Sequence, residues 1–131
     1  MSDIRDFNVQ ANDGTAREHE LQLDLLQKLC QAIDQGENAA TVESLLTDLI
    51  DYSEAHFMSE ELLMRMKSYP DYEDHLQDHV HMLDVLTGLA SNLKVGKSAL
   101  LAGKAHEVLG FVKLHIATRD SRLADYVRTG Q

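Results

Sequence analysis

Apolar residues recur at alternating steps of three and four along nearly all of the 131-residue chain, the rhythm of helices that each bury one side. Gly36, Pro70 and Gly96 interrupt that rhythm and leave four segments. The first, at about 15–35, carries His19, Leu23, Leu26, Cys30 and Ile33 on its stripe. The second, at about 41–68 with Thr41 as its expected N-cap, carries Val42, Leu45, Leu49, Tyr52, His56, Glu60 and Leu63. Tyr72, His75, His79, Met82, Leu86, Leu89 and Leu93 mark the third, at about 71–94. The fourth, at about 98–128, has Leu101, Ala105, Val108, Val112, His115, Asp120, Leu123 and Val127 on its inner side. Short connections leave these stripes nothing to pack on but one another. The expected fold is all-α, an antiparallel up-down-up-down four-helix bundle over residues 15–131, with a polar N-terminal arm at 1–14.

A chain of this length is expected to form one domain. Its formal net charge of -10 argues against nucleic acid, whose phosphates need clustered Lys and Arg. No stretch approaches the roughly 18 to 20 continuous apolar residues of a membrane span, and residues 1–10 lack the basic start and apolar run of a secretory signal. The expectation is a cytoplasmic protein that binds neither nucleic acid nor membrane. Cys30 has no second cysteine to pair with and lies on an apolar stripe, where a buried, inert thiol is expected.

The placement of seven histidines carries the functional reading. All four stripes contain His and two also contain a carboxylate, although such residues are rarely buried without a partner. His56 and Glu60 are four residues apart, about 40° around a helix, so they point the same way from adjacent turns while Glu61 points elsewhere. His75 and His79 repeat that spacing. The intervening Leu76, Gln77 and Asp78 lack the Glu that a hydrolytic zinc motif places beside its first His. His115 and Asp120 are five residues apart, about 140° on a regular helix, and are expected to converge from opposite shoulders of the inner face. Five imidazoles and two carboxylates thus point into one bundle and need a common compensating partner. Imidazole with carboxylate suits iron, whereas a closed structural zinc site uses about four ligands and usually cysteine.

Read in order, His19, then His56 with Glu60, then His75 with His79, then His115 with Asp120, the chain resembles the hemerythrin family in its bacterial single-domain branch, over nearly its whole length. The resemblance implies a cofactor of two Fe ions (Fe2+/Fe3+) with a bridging oxo or hydroxo group. It implies His75, His79 and His115 on one iron, His19 and His56 on the other, and Glu60 and Asp120 bridging them. O2 would then bind reversibly and end-on, as a hydroperoxide, at the iron held by two histidines. This requires no protein acid and no catalytic residue. The implied role is non-enzymatic oxygen storage, delivery or sensing, with a protein partner for delivery. Two other functions could use the same centre: a di-iron oxidase or peroxidase, and an iron or nitric oxide sensor acting through a partner protein.

Two positions depart from the family's usual pattern. Phe111 stands where relatives often have tryptophan and is expected to keep an aromatic wall by the site. Arg119 falls at about 40° on the inner-face scale and is expected to bring a charge near the metals. Plainer roles are expected elsewhere: His81 and His106 facing solvent, Met58, Met64, Met66 and Met82 packing in the core or its boundary, and the acidic residues within 72–78 forming a solvated face.

Overall fold

The computed structural model describes residues 4–94 and 101–129, with side chains from Arg17 onward. Its helices are α1 (Ile4–Asp34), α2 (Ala39–Met66), α3 (Tyr72–Lys94), α4 (Leu101–His115) and α5 (Ser121–Thr129). A π-helical turn, Ile116–Asp120, joins α4 to α5. Helix α1 packs on α2, α2 on α3, α3 on α4 and α4 back on α1, which closes a four-membered ring. Paired contacts show that neighbours run in opposite directions. Glu18 meets His56 while Gln22 meets Ser53, and Asp78 meets His115 while His81 meets Phe111. The expected antiparallel four-helix bundle is the observed fold, and no strand occurs among the described residues. None of the described helices is long and apolar enough to cross a membrane.

Local chemistry sets the turns. Helix α1 ends in a Schellman motif: Glu37 N–H donates to the Ala32 carbonyl at 3.0 Å and Gly36 N–H to that of Ile33 at 3.1 Å, with Gly36 at φ 69°. The same motif ends α2, where Tyr69 N–H reaches Met64 and Ser68 N–H reaches Arg65, but here the left-handed position is Ser68, at φ 51°. A non-glycine residue in that region costs about 1–2 kcal/mol. Burial of Tyr69 against Met64 offsets the strain, and Pro70 follows, where the helix cannot continue. The N-cap of α2 is Asn38, whose side chain accepts from Thr41 N–H at 2.9 Å. This corrects the expectation of Thr41, and the physical reason is that Asn is the stronger cap.

The core has two apolar layers. The larger contains Leu26, Leu29, Leu46, Leu49, Phe57, Met82, Leu86, Leu89, Val108 and Val112. The smaller contains Met64, Tyr69, Leu123 and Val127. On α2, α3 and the last rod, the inward histidines and acids occupy the turns between these layers, so a polar stratum crosses an otherwise apolar bundle. All eight residues expected on the inner side of the fourth segment are buried. On α2 the buried set is shifted in part: Leu46, Ser53 and Met64 are buried, whereas Leu45, Tyr52 and Leu63 sit at the boundary. Cys30 is buried, and burial pushes its thiol up.

Other expectations need correction. The stretch read as an arm at 1–14 is helical from Ile4. Backbone helicity needs no long apolar stripe, so the polar composition there did not mark a break. The start expected at Ser98 and the stop at Gly96 lie outside the described residues. Met58 and Met66 face solvent, while Met64 and Met82 are core residues. His81 and His106 are exposed as expected; His81 lies edge-on to Phe111, and His106 pairs with Asp34 at 2.8 Å.

Candidate metal centre

Each helix contributes to the polar stratum through spacing that keeps side chains on one face. His56 and Glu60 project from successive turns of α2, His75 and His79 from successive turns of α3, and His19 from α1. The last pair needs a device that the regular-helix reading lacked. A π turn closes its hydrogen bonds between residues five apart, which brings such residues to nearly the same side of the rod. Because that turn spans Ile116–Asp120, Asp120 Oδ1 lies 3.0 Å from His115 Nε2, and the two do not approach from opposite shoulders.

All seven expected residues are brought together. Glu60 and Asp120 each turn one oxygen to either side. Glu60 Oε2 is 3.0 Å from His19 Nε2 and 3.6 Å from His56 Nε2, and Asp120 Oδ2 is 2.8 Å from His19 Nε2. On the other side, Glu60 Oε1 is 3.0 Å from His79 Nε2 and 3.5 Å from His75 Nε2, while Asp120 Oδ1 is 2.9 Å from His75 Nε2. Two groups able to hold a metal ion result, with donor atoms within 4.8 Å of one another in each: Glu60, His75, His79, His115 and Asp120 form one, and His19, His56, Glu60 and Asp120 the other.

The donor atoms fit a metal better than they fit one another. His56 Nε2, His75 Nε2, His79 Nε2, His115 Nε2, Glu60 Oε1 and Asp120 Oδ1 are buried and have no properly directed hydrogen bond, despite separations near 3 Å. Ligands held by bonds of roughly 2.1 Å at right angles lie about 3 Å apart without bonding to each other. An orphaned buried polar atom otherwise costs about 1–3 kcal/mol. Five of these atoms converge on the three-histidine group, a donor set that fits a cation, and His56 Nε2 faces the second group together with His19 Nε2 and the other oxygens of Glu60 and Asp120.

Three carboxylates that sequence reasoning missed hold the outer edges of the rings. His56 Nδ1 lies 2.8 Å from Glu18 Oε2, His79 Nδ1 3.0 Å from Glu61 Oε2, and His115 Nδ1 2.9 Å from Asp78 Oδ2. Such contacts fix the tautomer that presents Nε2 to a metal. Glu61, expected to point away, and Asp78, expected on a solvated face, are thus parts of the centre. A signal was available: Glu18, Glu61 and Asp78 each follow or precede an inward residue by one position. A step of about 100° therefore turns each toward a histidine of the neighbouring helix. His75 Nδ1 is buried and has no partner among the described residues.

Arg119 makes no contact with the Nε2 atoms and carboxylate oxygens gathered in the stratum. Its Nε donates to Asp78 Oδ2 at 3.2 Å, so it acts on the far side of the His115 carboxylate. A cavity of about 350 Å³ opens there, lined in part by Asp78, His115, Arg119 and Phe111. Phe111 is half-buried against His81, and the aromatic wall of the centre is instead Phe57, stacked on His79 with ring centroids 4.1 Å apart.

Protonation follows from the same geometry in the absence of metal. Burial alone would lower the imidazoles of His19 and His75, but hydrogen bonds and charge from Asp120 and Glu60 push both up to about 9. Burial alone would raise Glu60 and Asp120. The histidines around them instead hold both carboxyls well below the usual range.

The chain matches the family described as hemerythrin HHE cation binding domain over residues 11–127. It is also similar to a bacteriohemerythrin of Methylococcus capsulatus (strain ATCC 33009 / NCIMB 11132 / Bath), with 28% identity over 103 residues that cover 79% of this chain and 78% of the relative. No solved structure matches it.

Two outcomes are expected. Stability of the metal-free protein conferred by His19 and His75 is fully present below their ordinary value of 6.5 and is lost as pH rises through about 9. Metal binding requires those imidazoles neutral, so affinity should rise over the same window. Melting of chelator-stripped protein between pH 6.5 and 9 should therefore show a falling Tm, with the gap to the metal-loaded form widening; a metal-free Tm that does not fall contradicts the assignment. Separately, Glu61→Ala and Asp78→Ala should each weaken metal binding about 10–100-fold in a chelator competition, with unchanged helix content. Affinities equal to the native protein would show that these carboxylates do not position the rings.

Proposed function

We infer that this chain, which belongs to the hemerythrin family of HHE cation-binding domains, binds O2 reversibly at a pair of irons inside its bundle. The observation that carries the reading is the division of Glu60 and Asp120, each with one oxygen in the group of His75, His79 and His115 and the other facing the group of His19 and His56. Such shared carboxylates suit two metals side by side. His75, His79 and His115 would hold one iron, His19 and His56 the other, and Glu60 and Asp120 both, with an oxo or hydroxo bridge between them. The iron pair, when bound, supplies the electrons that O2 takes up on binding and returns on release.

The residues of the chain do the rest. Four residues gather on the two-histidine side against five on the other, so a small ligand has room at the former. Glu18, Glu61 and Asp78 orient the rings of His56, His79 and His115. The two apolar layers and Phe57 flank the stratum, and Glu60, His75 and His79 are buried between them. Both buried carboxylates are engaged by histidines on both sides, and each outer acid by one ring. This favours binding over turnover, since cleavage of O2 calls for an acid poised to deliver protons. The relative's name, bacteriohemerythrin, supports the same reading.

The test is oxygenation of the anaerobically reduced, iron-loaded protein, followed by removal of the gas. A visible absorption band should appear with O2 and disappear without it over repeated cycles. A spectrum that fails to revert, or sustained consumption of O2 or peroxide with a reductant, contradicts reversible binding; the second result would identify an oxidase or peroxidase.

A further inference from the structure

Of the polar residues buried among the described part of the chain, all but two are donors of the candidate centre. The two are Gln22 and Ser53, at 3% and 0% exposure, and Gln22 Nε2 donates to Ser53 Oγ at 3.1 Å. Gln22 lies three residues after His19, and Ser53 three before His56. Because α1 and α2 run in opposite directions, both steps lead the same way along the bundle. The pair therefore sits one turn from the two-histidine group, on the side of the larger apolar layer, where Leu26 and Leu49 occupy the next turns.

Packing does not call for this pair. An apolar couple of the same volume would bury at lower cost, since amide and hydroxyl groups lose hydration that one mutual hydrogen bond only partly replaces. A carboxamide nitrogen carries two N–H groups. One reaches Ser53, and the other has no acceptor among the described residues. A spare donor is thus held in a dry environment one turn from the side of the centre with fewer protein donors.

We propose that Gln22 is the hydrogen-bond donor that a small ligand meets on the two-histidine side, with Ser53 as its positioning residue, and that this donor favours ligands bearing negative charge over neutral ones. The proposal rests on the di-iron reading above and deepens it by naming the residue that sets ligand preference. Gln22 holds no metal. Its remaining N–H stabilises charge on the bound ligand, and Ser53 Oγ fixes the amide plane from the adjacent helix.

Azide is a suitable anionic probe of the oxidised, iron-loaded protein, because its infrared stretch reports hydrogen bonding directly. In the native protein the stretch should shift between H2O and D2O. Gln22→Leu, which nearly conserves volume, should abolish that isotope shift and weaken azide binding about tenfold with iron content unchanged. Ser53→Ala should keep a reduced shift and weaken binding a few-fold. Gln22→Met serves as a second apolar variant should Gln22→Leu fold poorly. A role confined to tying α1 to α2 would alter stability and leave the isotope shift in place. If iron loads normally and the apolar variants match the native protein in affinity and shift, the proposal is overturned and the di-iron reading stands. If the native chain takes up no iron, metal analysis shows this before azide is added, and both fall.

Discussion

Glu60 and Asp120 are almost completely withdrawn from water in the middle of a helical bundle, and each is surrounded by imidazole nitrogens on two sides. An ionised carboxylate in such surroundings is strongly disfavoured unless positive charge lies within a few ångströms. The rest of the molecule is arranged around that requirement. In the absence of metal, His19 and His75 can meet it by protonation, since Asp120 and Glu60 push both imidazoles up to about 9; a pair of cations would meet it more fully and would also satisfy the buried atoms that lack a directed hydrogen bond.

The architecture keeps this stratum in place from both ends. A leucine-rich layer on one side draws on α1, α2, α3 and α4, and a smaller layer of Met64, Tyr69, Leu123 and Val127 lies on the other, so the spacing of donors on different helices is set by packing rather than by the donors themselves. Where a regular helix could not present two donors to the same point, the backbone departs from regularity. The π turn at Ile116–Asp120 is that departure. Its position between two donors five residues apart gives it a structural purpose. The three outer carboxylates then tie each helix to its neighbour through a ring: α1 to α2 by Glu18, α2 to α3 by Glu61, and α3 to α4 by Asp78.

What was legible in the sequence is what periodicity reports. Residues from Leu101 to Val127 on the inner side of the last rod were readable because each is apolar or a metal-type donor at helical spacing, and all are buried. The seven inward donors were readable for the same reason, although His115 and Asp120 were reconciled by a regular helix that does not exist there. Glu18, Glu61 and Asp78 were not seen because each follows or precedes an inward residue by about 100°, a position that stripe analysis assigns to solvent. Gln22 and Ser53 were missed because neither is apolar or a metal donor, so neither period nor chemistry singled them out. The helical course of residues 4–14 was not read, because Ile4, Phe7 and Ala11 are too few apolar positions among polar neighbours to stand out as a stripe.

The central claim is that two metals share Glu60 and Asp120. Diffraction from crystals of the iron-loaded protein, recorded on either side of the iron absorption edge, tests it without any assumption about O2. Two iron peaks per chain are predicted between those carboxylates, one beside His75, His79 and His115 and the other beside His19 and His56. A single peak, or iron bound away from these residues, would contradict the account.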